Sequence, residues 1–182
     1  MKDIWFLSDT HFHHSNILKF VIEDGSKVRP EFTSVEEMDE YMIEQWNSKI
    51  KQNDYVYHLG DISMDEPRFL NETVHKLNGQ IRMVLGNHDN DVKAYAKCNK
   101  IKKIMVSRRF DEHGFICSHY PLHKFSLFNH RTNSFHVNVH GHIHSHDIGE
   151  NGWLNISVEK IGYSPIHLDQ LIELVKENKH ND

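Results

Sequence analysis

Cysteine is scarce in this sequence of 182 residues. The only two, Cys98 and Cys117, are far apart and match no zinc-binding spacing. Small secreted domains that depend on disulfides are rich in cysteine, so that class of protein is excluded. We expect both cysteines to be free thiols in a reducing compartment.

Long hydrophobic runs are also missing. The apolar run nearest the N-terminus covers only residues 4–7 and is followed directly by Ser8 and Asp9. That is too short for a signal peptide or a membrane span. We therefore expect a cytoplasmic protein with no membrane partner, and the length favours a single domain over residues 1–182.

The chain has no excess of positive charge, since its formal net charge is −5. Proteins that bind nucleic-acid backbones usually carry a basic face. The one dense basic stretch covers residues 93–109, and we interpret it as a solvated surface rather than a rim that steers anionic substrates. Nucleic acid is therefore the less favoured partner, although it stays open as an alternative.

Short apolar runs alternate with amphipathic stretches, which predicts an α/β fold. The predicted strands cover residues 4–7, 55–59, 81–85, 101–106, 115–117, 135–139 and 153–156. Helices are predicted over 34–50, from Pro67 to Leu77, over 91–98 and after Ser164-Pro165. The first of these has a capping box from Ser34 to Glu37. Residues 121–134 show no pattern and are a candidate loop.

Histidine is abundant, with 17 copies, and many of them stand in five short fragments at the ends of apolar runs. The fragments are Asp9-Thr10-His11, Gly60-Asp61, Gly86-Asn87-His88-Asp89, Ser118-His119 and Gly141-His142-Ile143-His144. Strand ends in α/β sheets converge on one crevice, so these side chains can meet. Leaving Asp89 aside, they supply oxygen and nitrogen ligands without a thiolate, enough for two adjacent divalent metals and one free histidine.

Such a site suits the hydrolysis of a phosphate ester. The reaction needs a nucleophile at neutral pH, neutralisation of charge and help for the leaving group. Two metals about 3.5–4 Å apart supply the first two, with a hydroxide bridging the ions as the nucleophile. Taken singly, each fragment also has a structural interpretation, such as a Gly-Asn turn. The ordered set of five is what favours the metal site.

The five fragments together resemble the calcineurin-like metallophosphoesterase superfamily, and the resemblance covers nearly the whole chain. Residues 8–17, Arg29-Pro30 and residues 34–47 also resemble a small bacterial and phage branch of predicted phosphoesterases. The resemblance implies a four-layer α/β/β/α sandwich of two mixed sheets flanked by helices.

The resemblance also implies roles for individual residues. The first metal would be held by Asp9, His11, Asp61 and His144. The second would be held by Asp61, Asn87, His119 and His142, so that Asp61 bridges the two. His88 would face the phosphate and assist the leaving oxygen, and Asp89 would either orient His88 or cap a helix. The resemblance favours Mn²⁺ as the cofactor, with iron, zinc and nickel left open.

Residues that contact the substrate are harder to identify. His13 or His14 could reach the phosphate or support a ligand, and the alternative is a loop surface. Arg29 could clamp a substrate phosphate, and the alternative is an exposed arginine in a turn. The remaining candidates are Asn87 and three residues of the unpatterned loop, His123, His130 and Arg131.

The leading hypothesis is a phosphodiesterase or phosphomonoesterase that acts on a small molecule such as a nucleotide. A nuclease is the main alternative. A protein phosphatase is a minor one, because no Asp-Arg pair follows Gly60-Asp61 and Asn87-His88 is followed by Asp89 rather than glutamate. A non-enzymatic scaffold is the other minor alternative.

Overall fold

A computed structural model of the chain describes residues 2–179. The strands are β1 (Ile4–Leu7), β2 (Tyr55–His58), β3 (Gln80–Val84), β4 (Ile101–Met105), β5 (Ser107–Phe110), β6 (Phe115–Ser118), β7 (Phe128–Asn129), β8 (Ser134–Phe135), β9 (Val137–His140), β10 (Trp153–Asn155) and β11 (Ile166–His167). The α-helices are α1 (Val35–Lys49), α2 (Glu66–Arg68), α3 (Val92–Lys97) and α4 (Leu168–Glu177). No helix of this part of the chain is long and apolar enough to cross a membrane.

The strands form two mixed sheets and a small hairpin. The first sheet has the order β11-β1-β2-β3-β4, in which β1 to β4 are parallel and β11 is antiparallel to β1. The second has the order β10-β9-β6-β5, with three parallel strands and an antiparallel β5. Strands β7 and β8 pair by themselves. The predicted α/β sandwich of two mixed sheets flanked by helices is confirmed.

Two hydrophobic clusters hold these layers together, one on each face of the first sheet. Successive residues of a strand point to opposite faces, so Phe6 of β1 joins the cluster between the sheets and Leu7 joins the other. In the inter-sheet cluster, Phe6 packs edge-to-face with Phe115 of β6. In the other, Trp46 of α1 is buried and donates from Nε1 to the carbonyl of Asn78 at 2.8 Å.

Helix α1 begins where the sequence predicts it. Ser34 is the N-cap, and its hydroxyl accepts from the backbone N–H of Glu37 at 3.1 Å. The reciprocal bond of the predicted capping box does not form. The Glu37 carboxylate instead accepts from the backbone N–H and the hydroxyl of Thr33, one residue earlier.

Other predicted elements differ from the structure. The helix expected from Pro67 to Leu77 is one turn of α-helix followed by a π-helical stretch, Phe69–Thr73, and a 3-10 turn, Val74–Lys76. The strand expected over 135–139 is split between β8 and β9. The unpatterned segment 121–134 holds a 3-10 helix, Lys124–Leu127, and the β7–β8 hairpin. The last helix begins only at Leu168, because β11 precedes it.

Candidate metal centre

Five candidate ligands follow the carboxyl ends of five different strands. Asp9 follows β1, Asp61 follows β2, and Asn87 follows β3 in the first sheet. His119 follows β6 and His142 follows β9 in the second. The two sheets pack face to face, so their strand ends open onto the same crevice. The motifs therefore converge in the structure, as the sequence predicts.

The side chains form two adjacent groups of possible metal ligands. The first cluster is Asp9, His11 and His144, and the second cluster is Asp61, His119 and His142. Within each cluster the ligand atoms lie within 4.8 Å of one another. Each cluster contains three of the four ligands that the resemblance implies for one ion.

Asp61 is the member of the second cluster that borders the first. Its Oδ2 atom lies 3.7 Å from Nε2 of His11 in the first cluster and 3.3 Å from Nε2 of His119 in the second. Oδ1 of Asn87 lies 3.0 Å from the same His119 nitrogen. One carboxylate oxygen thus faces both clusters, which is the position that a bridging ligand needs.

His11 supplies the observation that tests whether a metal fits. Its side chain is buried, and neither ring nitrogen has a hydrogen-bond partner among the described residues. Buried polar groups are rarely left without a partner, and an unpaired one calls for an explanation such as a missing ion. Nitrogen and oxygen donors at these distances suit a divalent transition metal, so the residues present fit a metal centre.

Backbone strain is concentrated at the same positions. Among residues 2–179, eight residues other than glycine have a positive φ, and five of them are candidate ligands. These are Asp9, His11, Asp61, His142 and His144, with φ between 49° and 72°. Each such residue costs of order 1–3 kcal/mol, and such residues cluster at functional sites.

Two glycines allow the backbone to approach the carboxylates closely. A Cβ atom on Gly141 would collide with the Asp9 carboxylate, and one on Gly86 would collide with that of Asp61. Both glycines directly precede a candidate ligand, His142 or Asn87. Gly86 and Gly141 are therefore required by the space available, since neither has a positive φ.

Hydrogen bonds fix the orientation of several ligands. Nδ1 of His119 lies 2.9 Å from the carbonyl oxygen of Leu59, and Nδ1 of His144 lies 3.0 Å from Oε1 of Glu159. Each bond leaves Nε2 as the ring nitrogen available to a metal. The Asp9 carboxylate accepts from the backbone N–H of His142 and from the hydroxyl of Ser157 at 3.1 Å.

The electrostatics of the site follow from burial and close charges. Burial raises the pKa of Asp9, and burial together with the Arg29 guanidinium lowers the pKa of His11. Burial would also raise the pKa of Asp61, but the hydrogen bond and charge of His119 outweigh it and lower that pKa. The same pairing outweighs burial at His119 and raises its pKa. A cation that binds there competes with the proton on His119.

His88 lies beside the clusters without belonging to either. Its ring centroid is 5.5 Å from that of His11, and its backbone N–H donates to Oδ1 of Asp61 at 2.8 Å. The side chain is half-buried. The His88 ring therefore borders the first cluster without being one of its members.

Both expectations for Asp89 need correction. Its carboxylate accepts from the backbone N–H groups of Gly86, Asp61 and Ile62 at 2.7–3.1 Å, and no described bond joins it to the His88 ring. The N-cap of α3 is Asp91, whose side chain accepts from Ala94. Asp89 thus holds the loops after β2 and β3 together, because its buried carboxylate satisfies donors from both.

Arg29 is neither an exposed turn residue nor placed to clamp a phosphate. Its side chain is fully buried and bonds to Glu159, to the carbonyls of Asp9 and Thr10, and to the sulfur of Met38. A guanidinium that is fully buried among these partners is not accessible to a substrate.

The two histidines after the first motif have different surroundings. Nδ1 of His13 lies 2.9 Å from Oδ2 of Asp39, and its Nε2 lies 2.8 Å from the hydroxyl of Thr73, so His13 is not a surface residue. The His14 ring is 5.3 Å from that of His11 and borders the first cluster. Burial and Arg29 lower the pKa of His14 to about 4.

The remaining candidates lie in the segment 121–134. His123, His130 and Arg131 are exposed, and the contacts described for them are with their own segment, such as the 5.4 Å ring contact between His123 and Phe125. None of the contacts described for these three residues reaches a member of either cluster.

Sequence reasoning missed Glu159, which is bonded to Arg29 and His144. Two features of the sequence around Glu159 point weakly to a role at the site. Glu159 closely follows a strand, β10, as the other motif residues do, and it is an acidic residue next to the apolar Ile156 and Val158. A lone glutamate after an apolar run was not enough to single it out.

Comparison with known proteins shows where the chain belongs. No family model matches it. It is 32% identical over 193 aligned positions to the uncharacterized protein MJ1445 of Methanocaldococcus jannaschii, covering 98% of this chain and 94% of that protein. The chain belongs to the same family as MJ1445. The chain is also similar to the Gene 66 protein of Mycobacterium phage D29, with 31% identity over 107 residues, covering 57% of this chain and 49% of that protein.

A solved structure shares the fold. The protein of unknown function AQ665 from Aquifex aeolicus has a TM-score of 0.73 and 22% identity, covering 96% of this chain and 100% of that one. At this identity the likeness concerns the fold alone, so function must be argued from the site.

Proposed function

We propose that this protein is a phosphoesterase that binds two divalent metal ions and acts on a small molecule such as a nucleotide. Cleavage of a phosphodiester is the favoured reaction, with a phosphomonoester as the alternative. The observation that carries the proposal is the position of Asp61, whose Oδ2 faces His11 of one cluster and His119 of the other. Paired sites that share a carboxylate suit reactions at phosphorus.

The residues divide into two sets of ligands. Asp9, His11, Asp61 and His144 would hold one ion, and Asp61, Asn87, His119 and His142 the other. When bound, such ions lower the pKa of a coordinated water and neutralise phosphate charge. The ligand set holds two aspartates, so two divalent cations would leave a net positive site that attracts an anionic ester, even in a chain with a formal charge of −5.

His88 is the residue we assign to the leaving group. Its backbone N–H donates to the carboxylate of Asp61, the proposed bridging ligand, and its half-buried ring borders the first cluster. A histidine in this place can donate a proton to the departing oxygen, a contribution of typically 10²–10⁴-fold in rate. Asp89 acts on the same loops by holding the backbone of Gly86 and Asp61.

The proposal also includes a small substrate and Mn²⁺ as the metal. The buried Arg29 is not free to bind a phosphate, so charge neutralisation falls to the metals. Nitrogen and oxygen ligands accept manganese, iron, zinc and nickel, and the resemblance to metallophosphoesterases favours manganese.

The test is hydrolysis of bis-p-nitrophenyl phosphate and p-nitrophenyl phosphate with Mn²⁺ and with a chelator. We expect metal-dependent turnover that falls by about 10²–10⁴-fold in His88→Ala while the metal content stays the same. His75→Ala, which changes an exposed histidine, is the matched control and should behave as wild type. Equal turnover in wild type and His88→Ala would refute the role of His88, and turnover that survives the chelator would refute the metal mechanism.

The same panel should include a single-stranded oligonucleotide. Cleavage of it that falls steeply with added salt would favour a nuclease over a small-molecule esterase. Metal-loaded protein that cleaves none of these esters would argue for a scaffold instead.

A further inference from the structure

The side chain of Arg29 is fully buried, and two of its hydrogen bonds go to the backbone of the first motif. Nη2 donates to the carbonyl of Asp9 at 2.6 Å, and Nη1 donates to the carbonyl of Thr10 at 2.9 Å. These two carbonyls belong to the first motif, where Asp9 has a left-handed backbone. Arg29 therefore stabilises the strained turn whose backbone positions the carboxylate of Asp9 in the first cluster.

Glu159 is the counter-charge of Arg29. Its side chain is 3% exposed, and its Oε1 accepts from Nε of Arg29 at 2.8 Å. The same oxygen lies 3.0 Å from Nδ1 of His144. One carboxylate oxygen thus connects a buried guanidinium to a candidate ligand from a different strand end.

The two clusters differ in the charge of the group that orients one of their histidines. His119 of the second cluster is oriented by the neutral carbonyl of Leu59, whereas His144 of the first is oriented by a carboxylate. Arg29 and Glu159 together reach two of the three members of the first cluster, Asp9 and His144. The contacts described for these two residues do not extend to any member of the second cluster.

We infer that Arg29 and Glu159 are positioning residues that set the affinity of the first cluster for its metal, independently of the second. Glu159 holds the His144 ring with Nδ1–H toward itself and Nε2 toward the ion, and its negative charge makes that imidazole a stronger donor. Arg29 holds the Glu159 carboxylate in place through the bond from its Nε, and it also bonds to the backbone carbonyl of Asp9. The inference rests on the proposed two-metal function and adds that the two sites are supported differently.

The charge of the pair explains why both residues are needed. A buried carboxylate without a partner is strongly disfavoured, and so is a buried guanidinium. Together they give His144 a charged hydrogen-bond acceptor within the protein interior, where such bonds are stronger than in water. Loss of the Glu159 charge should therefore weaken metal binding at His144 more than at His119.

The test measures Mn²⁺ affinity by calorimetry in two single-cluster backgrounds. His142→Gln disables the second cluster and leaves the first to report, and His144→Gln does the reverse. Glu159→Gln is then added to each background, since the amide can still accept from His144 but carries no charge. Glu31→Gln, which removes a neighbouring carboxylate that accepts from Tyr163, is the matched control in both backgrounds.

We expect Glu159→Gln to weaken Mn²⁺ binding by about 10- to 100-fold in the His142→Gln background and to leave affinity in the His144→Gln background unchanged. Electron paramagnetic resonance of the Glu159→Gln single variant at limiting Mn²⁺ should show single-ion spectra. If Glu159→Gln does not fold, Arg29→Met combined with Glu159→Leu removes both charges together and carries the same comparison.

Equal weakening in both backgrounds would mean a general loss of structure and would overturn the inference, as would no weakening in either. These outcomes are separate from a failure of the proposed function. Wild-type protein that binds no Mn²⁺ would refute the metal centre itself, and the inference with it. Wild-type protein that binds two ions while Glu159→Gln has no effect specific to the first cluster would refute only the positioning role.

Discussion

Gly141 shows how little space separates the backbone from the first cluster. A Cβ at this position would overlap the Asp9 carboxylate and the Ser8 hydroxyl, and the following residue, His142, donates its N–H to that carboxylate. We predict that Gly141→Ala displaces Asp9 and lowers the Mn²⁺ content of the protein measured by atomic emission.

Gly149→Ala is the control for Gly141→Ala. Gly149 has a φ of 78° and no atom within 4 Å of an added Cβ, so alanine there brings backbone strain without a collision. It should lose a little stability and keep its metal. A Gly141→Ala protein with full metal content would contradict the close approach described for this position.

Single residues were predictable from sequence where their chemistry was specific. Asp9 and Asp61 follow the neighbouring parallel strands β1 and β2, and the carboxyl ends of such strands open onto one crevice of the sheet. Arg29 was misjudged because burial depends on residues distant in sequence, here Glu159, 130 positions away. Asp89 was misjudged because its partners are backbone N–H groups, which leave no trace in a sequence pattern.

Among the elements, α1 depends on its cap. The Ser34 hydroxyl satisfies the N–H of Glu37 at the first turn. We predict that Ser34→Ala lowers the free energy of unfolding by about 1 kcal/mol, measured by urea titration. Ser48→Ala, which removes a hydroxyl bonded to Gln45 in the last turn, should change it by less. Equal losses in the two variants would argue against a specific capping role.

Elements were predictable when an apolar pattern marked them. The period of Met38, Met42 and Trp46 matches one buried face of α1. Strand β5 has no such pattern, because three of its four residues are exposed and it is held by pairing with β6. The stretch after Pro67 is helical with buried Phe69 and Val74, but its switch to π and 3-10 turns reflects tertiary packing that periodicity does not report.

At the scale of the whole molecule, stability should depend on pH through buried histidine. His58 of β2 is fully buried, and burial lowers its pKa from 6.5 to about 3. The folded state therefore favours the neutral ring, and its stabilisation is present above pH 6.5 and lost as the pH falls toward 3. Through this one group, the free energy of unfolding falls by about 2 kcal/mol when the pH is lowered from 7 to 5.

His58→Gln should remove that part of the pH dependence, because glutamine does not titrate and can still bond to the Thr10 hydroxyl, a partner of Nε2 of His58 at 3.0 Å. The measurement is urea unfolding at pH 7 and pH 5 with chelator present. The exposed His75→Gln variant should keep the wild-type difference. An unchanged difference in His58→Gln would contradict the assignment of a neutral buried ring.

The alternation of apolar runs and amphipathic stretches predicted an α/β fold, and the resemblance to metallophosphoesterases implied the sandwich of two sheets. The order of strands in each sheet was not predictable, since β11 returns to pair with β1 and only long-range contacts specify it. The same long-range packing brings Asp61 of one sheet to His119 of the other. That juxtaposition is the basis of the function proposed for the whole molecule.

The most direct test of the central claim is electron paramagnetic resonance of the protein titrated with Mn²⁺. A pair of sites sharing Asp61 predicts two ions per chain with a spin-coupled spectrum, and Asp61→Asn should abolish the coupling. A single bound ion, two uncoupled ions or no bound metal in the wild-type protein would contradict the account.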